Sequence, residues 1–118
     1  MDGRLVDGLG GTSGFGENTL GHNDDGSSPS VNLNTVFAGG LNFFGTTYTS
    51  LYVNNNGNIS FGSAQSGYTP SQIGAGSSFP IIAPFWGDVD TRGGGTTTAG
   101  GNSTGTNLVY YDLDTLNG

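Results

Sequence analysis

The residues best suited to chemistry in this chain are short carboxylates gathered in two stretches. Asp88-Val89-Asp90 sets two acids two positions apart, and in a strand that spacing projects both from one face. Asn23-Asp24-Asp25-Gly26-Ser27-Ser28 offers further short oxygen ligands in what reads as a loop. Together Asp24, Asp25, Asp88 and Asp90 would make an oxygen-only site of the kind calcium prefers. The competing reading is structural: Asp24 and Asp25 close turns through bonds from side chain to backbone, and one of the strand aspartates pairs with Arg92. Neither an EF-hand loop nor a repeated Gly-Gly-x-Gly-x-Asp nonapeptide is present.

Two nearby carboxylates also raise glycoside hydrolysis, which needs one acid with a raised pKa and a second group as base or nucleophile. A reacting centre needs substrate-positioning groups as well, and with one His, two Arg, no Lys and no Cys the supply is thin. His22, set among Gly and Asn, reads as an exposed loop side chain. The expectation is therefore a protein without enzymatic activity. Tyr48, Tyr52, Tyr68, Phe85, Trp86, Tyr110 and Tyr111 could stack on sugar rings, but a sheet of this size needs its few large residues inside. Phe85 and Tyr52 are assigned to the core, which leaves Tyr68 as the exposed ligand-binding candidate. A carbohydrate-binding module using exposed tyrosines is thus the alternative function. Asn58-Ile59-Ser60 and Asn102-Ser103-Thr104 match the glycosylation acceptor pattern, the second in the looser tract.

These groups must be positioned by a chain of 118 residues, enough for one small core and too short for two. Gly supplies 24 residues with only four Pro and no third-position repeat, so the chain is not collagen-like. Each Gly costs about 1 kcal/mol in a helix interior relative to Ala, which argues against helices. What remains is an all-β fold, an antiparallel β-sandwich with long Gly/Ser/Thr-rich loops. Residues 1–30 hold few large apolar side chains (Leu5, Val6, Leu9, Phe15, Leu20) and read as a Gly-rich linker or donor strand; residues 31–118 form the β domain.

Alternation over Val31, Leu33, Thr35 and Phe37 predicts a strand. Leu41 to Phe44 is a short apolar patch broken by Gly45, and Thr46 to Asn54 runs on as a strand. The strongest local signal is a hairpin over Leu51 to Phe61. A two-residue turn at Asn56-Gly57 would set Val53 opposite Ser60; a three-residue loop, Asn55 to Gly57 with Gly57 at positive φ, sets Val53 opposite Ile59 and Leu51 opposite Phe61. The second register gathers four apolar residues on one face and is preferred. Residues 62–78 read as a long loop across a sheet end. Phe79 to Asp90 begins as a proline-flanked edge segment and becomes a strand near Phe85 to Asp90. Residues 93–107 read as an exposed tip, and Leu108 to Leu113 as a final strand.

A formal charge of −7 and a pI near 4.1 exclude nucleic acid as a partner, because phosphate neutralisation needs a basic surface. The absence of Cys removes disulfides and thiolate chemistry. No apolar run is long enough to insert in a membrane, and no signal peptide opens the sequence.

Phe43-Phe44-Gly45-Thr46-Thr47-Tyr48-Thr49-Ser50-Leu51-Tyr52-Val53-Asn54-Asn55-Asn56-Gly57-Asn58-Ile59-Ser60-Phe61-Gly62, followed by Pro80-Ile81-Ile82-Ala83-Pro84-Phe85-Trp86-Gly87-Asp88-Val89-Asp90-Thr91-Arg92 and then Val109-Tyr110-Tyr111, resembles the NIDO domain. The likeness covers roughly Thr35 to the C-terminus. It implies an interaction or adhesion module of a surface, matrix or fibre-forming protein, located outside the cell or at its surface, and of the bacterial type. Partners would be other surface or matrix proteins. Domains of this family run on past the Tyr-Tyr strand, so the chain is expected to be truncated at its C-terminus and to leave a sheet edge open to self-association through β-strand addition.

Overall fold

The computed structural model describes residues 18–74, 79–94, 101–103 and 108–113. Its elements in chain order are β1 (Asn18–Thr19), β2 (Val31–Asn32), a 3-10 turn (Leu33–Thr35), β3 (Leu41–Phe43), β4 (Thr46–Tyr48), β5 (Ser50–Asn54), β6 (Asn58–Phe61), β7 (Ile81–Ile82) and β8 (Tyr110–Tyr111). Every ladder is antiparallel: a central sheet in the order β2-β5-β6-β7, the hairpin β3-β4, and the pair β1-β8. The expected antiparallel all-β class is the observed one.

The β5-β6 hairpin takes the register preferred on apolar grounds, with Leu51 opposite Phe61 and Val53 opposite Ile59. Its loop spans Asn55 to Gly57, and Gly57 has φ +80°. Glycine is needed there twice over, since a Cβ would also overlap the Phe85 carbonyl oxygen.

Alternation gives this sheet two unlike faces. On one, Leu51 and Phe61 are buried with Leu33, and the β3-β4 hairpin lies across them as a second layer. Phe43 and Tyr48 from that hairpin bring their rings to 4.8 and 4.9 Å from the ring of Phe61. Each such large side chain contributes about 1.5–3 kcal/mol by leaving water. The other face is polar yet buried: Asn54, Asn58 and Ser60 are all inaccessible. Asn54 satisfies itself there in full. Its Nδ2 donates to Asn58 Oδ1 (2.7 Å) and Ser60 Oγ (2.9 Å), while its Oδ1 accepts from Ser27 Oγ (2.7 Å) and the Gln65 backbone N–H (3.1 Å). Loop residues 63–65 therefore act as a lid of backbone over this face.

Four expectations need correction. The strand expected over Val31 to Phe37 stops at Asn32, because the Asn32 side chain accepts from the Asn34 N–H at 3.0 Å and caps a 3-10 turn in place of a ladder. The strand expected over Thr46 to Asn54 is interrupted at Thr49, whose carbonyl accepts from Leu33 N at 2.8 Å; β4 turns back onto β3 instead. The turn between them is Phe44-Gly45 with φ values of +48° and +87°, the twist a two-residue hairpin needs. The strand expected near Phe85 to Asp90 is not formed: the proline-flanked pair Ile81–Ile82 is the edge strand, and beyond Pro84 the chain crosses the end of the hairpin. Phe85, assigned to the core, is 77% exposed.

The final strand is confined to Tyr110–Tyr111, which pairs with Asn18–Thr19 of the same chain and is extended by a bond from Leu20 N to Val109 O of 3.1 Å. The tip expected over 93–107 lies mostly outside the described residues, as does the leading segment before Asn18. Among the described residues no helix is long and apolar enough to cross a membrane.

Candidate functional site

Three segments meet at the turn of the central hairpin: the loop of residues 21–28, the turn residues Asn55 and Asn56, and the crossing segment that ends at Arg92. The loop is fastened to the crossing segment at Thr91. The Thr91 N–H donates to the Asn23 carbonyl (2.9 Å), the Asn23 N–H donates to Thr91 Oγ1 (2.8 Å), and His22 Nδ1 donates to the Thr91 carbonyl (2.7 Å). His22 is thus half-buried and partnered, where an exposed loop residue was expected. Asn23 closes the turn that follows, its Oδ1 accepting from Gly26 N at 2.7 Å.

Because Asn23 takes the turn-closing role, the carboxylates of Asp24 and Asp25 are left for other partners. Asp24 accepts from Arg92 Nη2 at 2.7 Å, and Asp25 from Asn56 Nδ2 at 2.8 Å. Asp24, Asp25 and Asp88 each bring one carboxylate oxygen within 4.8 Å of the others. Asp90 stands beside this group rather than in it. Arg92 grips it with Nε on Oδ1 (2.9 Å) and Nη2 on Oδ2 (2.7 Å), and the Arg92 backbone N–H adds a third bond at 2.9 Å.

The electrostatics follow from this division. Hydrogen bonds from the Arg92 side chain and backbone hold the Asp90 carboxyl down at about 2. Asp24 goes the other way. Partial loss of water raises its pKa, Arg92 opposes that, and the charges of Asp90, Asp25 and Asp88 add to the rise. Arg92 is in turn held charged more firmly by Asp90.

The turn amides complete the junction. Asn56 accepts from the Val89 N–H on Oδ1 at 2.9 Å, and its carbonyl accepts from Gly87 N at 3.1 Å. Asn55 is 1% exposed; its Nδ2 donates to the Asp24 carbonyl at 2.5 Å and to the Val89 carbonyl. Sequence reasoning named both as hairpin-loop residues and neither as part of a site. The signal was there, because a three-residue hairpin loop needs one Gly, and two consecutive amides ahead of it exceed what the turn demands.

Tyr68, the proposed ligand residue, is 56% exposed on the loop that follows β6, and Trp86 is tied to that loop by a bond from Nε1 to the Gly67 carbonyl of 2.8 Å. Asn58 of the first glycosylation pattern is buried, which removes it as an acceptor; Asn102 of the second is exposed.

A family model described as NIDO related matches residues 10–107. The chain belongs to the NIDO-related family. Of the curated proteins, this NIDO-related chain is similar to alpha-tectorin of Gallus gallus, 44% identical over 66 residues, and to alpha-tectorin of Mus musculus, 45% identical over 67 residues. Alpha-tectorin of Homo sapiens is 43% identical over 67 residues. Each of these matches covers 56% of this chain and 3% of the tectorin, so the NIDO-related chain corresponds to a small part of those proteins. No solved structure matches. The matched relatives are vertebrate proteins and lend no support to the bacterial type.

Proposed function

We propose that this domain is a non-enzymatic, extracellular interaction module of matrix architecture, stabilised by calcium and contacting other matrix proteins. The observation that carries this reading is the family match over residues 10–107 together with about 44% identity to alpha-tectorin, an extracellular matrix protein. The chemistry of the surface is in keeping with it: acidic, without Lys, and with Asp24 and Asp90 held in ion pairs by Arg92. Self-association by β-strand addition is the narrower part of the reading. Asn18–Thr19 pair within their own chain, so a donor strand would have to come from residues 1–17.

Biolayer interferometry of the immobilised full chain against purified alpha-tectorin, with a second copy of this chain as the other analyte, tests the proposal. Saturable binding to alpha-tectorin at micromolar concentration supports a matrix module. Absence of binding at about a hundred micromolar, or turnover of a glycoside substrate, would overturn it. For self-association, light scattering of the full chain and of a variant lacking residues 1–17 is decisive: strictly monomeric full-length protein removes the strand-addition part.

A carbohydrate-binding reading is favoured by one observation, the exposure of Tyr68 beside the Trp86-anchored segment. A glycan array with Tyr68→Ala as control separates it from the matrix reading.

A further inference from the structure

The carboxylates of Asp24, Asp25 and Asp88 are brought together by two segments far apart in the chain, and the fold holds them there with backbone bonds that do not involve the carboxylates. Two unit charges about 4 Å apart repel by about 1 kcal/mol even in bulk water, and by more at a partly dry surface. Arg92 is the only Arg or Lys among the described residues, and it is committed to Asp90 through both oxygens and to Asp24 through one. Among the described residues, Asp25 and Asp88 therefore have no cation beside them, and Asp24 shares Arg92 with Asp90.

A second and independent feature stands at the same junction. Asn55 is fully enclosed, and its Oδ1 is one of two buried side-chain polar atoms among the described residues without a hydrogen-bond partner. A buried acceptor left unpaired costs about 1–3 kcal/mol, so an oxygen in this state calls for a water or an ion as its partner. The Nδ2 of the same amide is pinned to the Asp24 carbonyl and the Val89 carbonyl. One of these belongs to the cluster and the other adjoins Asp88, so the amide that carries the orphaned oxygen is anchored between the two acid-bearing segments.

We propose that Asp24, Asp25, Asp88 and the side-chain oxygen of Asn55 form a calcium site that clips the loop of residues 21–28 to the end of the central hairpin. Calcium takes six to eight oxygen ligands, mixing carboxylates, amide carbonyls and water, and tolerates irregular geometry. Magnesium demands a near-regular octahedron, and the set holds no Cys or His for zinc. Asp90 is excluded from the shell because Arg92 holds both of its oxygens. Three carboxylates with water completing the shell place the site with extracellular modules, at dissociation constants on the order of 0.1–1 mM. The inference rests on the calcium part of the reading proposed above, while binding to matrix proteins stands or falls separately.

The test is calorimetric titration of CaCl2 into the chelator-stripped full chain, with melting temperature followed in parallel. One site is expected, and 10 mM CaCl2 should raise the melting temperature by several degrees, roughly, through linkage to the native state. Asp88→Asn alters an exposed carboxylate to which no described residue donates, so it should fold normally, yet it should weaken binding at least about tenfold. Asp112→Asn removes the same charge elsewhere and should leave affinity unchanged. In 13C spectra the Asn55 side-chain carbonyl should shift with calcium while that of Asn54, already fully bonded, should not. Titration without heat or thermal shift, an Asp88→Asn variant that binds as well as the parent, or an unmoved Asn55 carbonyl would each overturn the assignment. Alpha-tectorin binding that persists in EDTA, beside a negative titration, would sink the calcium site and leave the matrix reading intact.

Discussion

The backbone N–H of Phe85 donates to the carbonyl oxygen of Gly57 at 3.3 Å, so two segments that share no strand are in main-chain contact at the end of the central hairpin. The contact requires position 57 to lack a side chain. Gly57→Ala combines a left-handed φ with overlap on a backbone oxygen that cannot swing away, and should cost more than about 2 kcal/mol. Gly45→Ala is the comparison. Its φ is similar but nothing lies within 4 Å of the new Cβ, so only the conformational penalty of about 1 kcal/mol applies. Urea denaturation of the two variants reads the difference directly.

Asn54→Ala should be among the most damaging polar substitutions. It strands Ser27 Oγ, the Gln65 N–H, Asn58 Oδ1 and Ser60 Oγ in a buried layer, and losing one such partner alone costs about 1–3 kcal/mol. A loss of about 3 kcal/mol or more is expected by chemical denaturation, with early hydrogen exchange at Gln65 N–H as the local signature.

Phe44 is 94% exposed at φ +48°, a conformation in which Asn is far better accommodated than a bulky aromatic. Phe44→Asn gives up an edge-to-face contact with Phe43 at 4.8 Å but relieves the backbone. Backbone relief of about 1 kcal/mol outweighs a ring contact open to water, so stability should be held or rise by about 0.5 kcal/mol. Thermal melts of the variant check the sign.

Asp90 carries the acid response expected of its ion pair. Its pKa is lowered to about 2 in the fold from an ordinary 3.8, so its stabilising effect is complete above about pH 4 and is lost as pH falls through 2. Asp90→Asn lacks the pair at every pH. The gap in melting temperature between parent and variant, in calcium-free buffer, should therefore be full at pH 5 and close towards pH 2. A gap that widens on acidification would contradict the Arg92 assignment.

The hairpin register was legible because four apolar side chains, Leu51, Val53, Ile59 and Phe61, can share a face in one pairing and not in the other. The strand over Val31 to Phe37 was misread for the opposite reason: Leu33, Thr35 and Phe37 keep the alternating pattern, but a single side-chain bond to Asn32 decides the backbone. Apolar periodicity is equally blind to Phe85. That segment is fixed by backbone bonds to Gly57 and Asn56, so its aromatic residue is free to face water. At the candidate site the acids were visible as residue types, and so was the pairing of one of them with Arg92. Which acids converge depends on Asn55, Asn56 and Thr91 bridging distant segments, and no local pattern announces such bonds.

The pairing of Asn18–Thr19 with Tyr110–Tyr111 has a mechanical consequence. Residues 18 and 111 are direct partners at one end of a short antiparallel ladder. Tension applied across the domain from residues 18 and 111 therefore peels that ladder open one bond at a time, and does not shear it. In single-molecule pulling the pair should part at low force, before load reaches the hairpin of β5 and β6. The protein then lengthens like an unfastened clasp while its core remains folded.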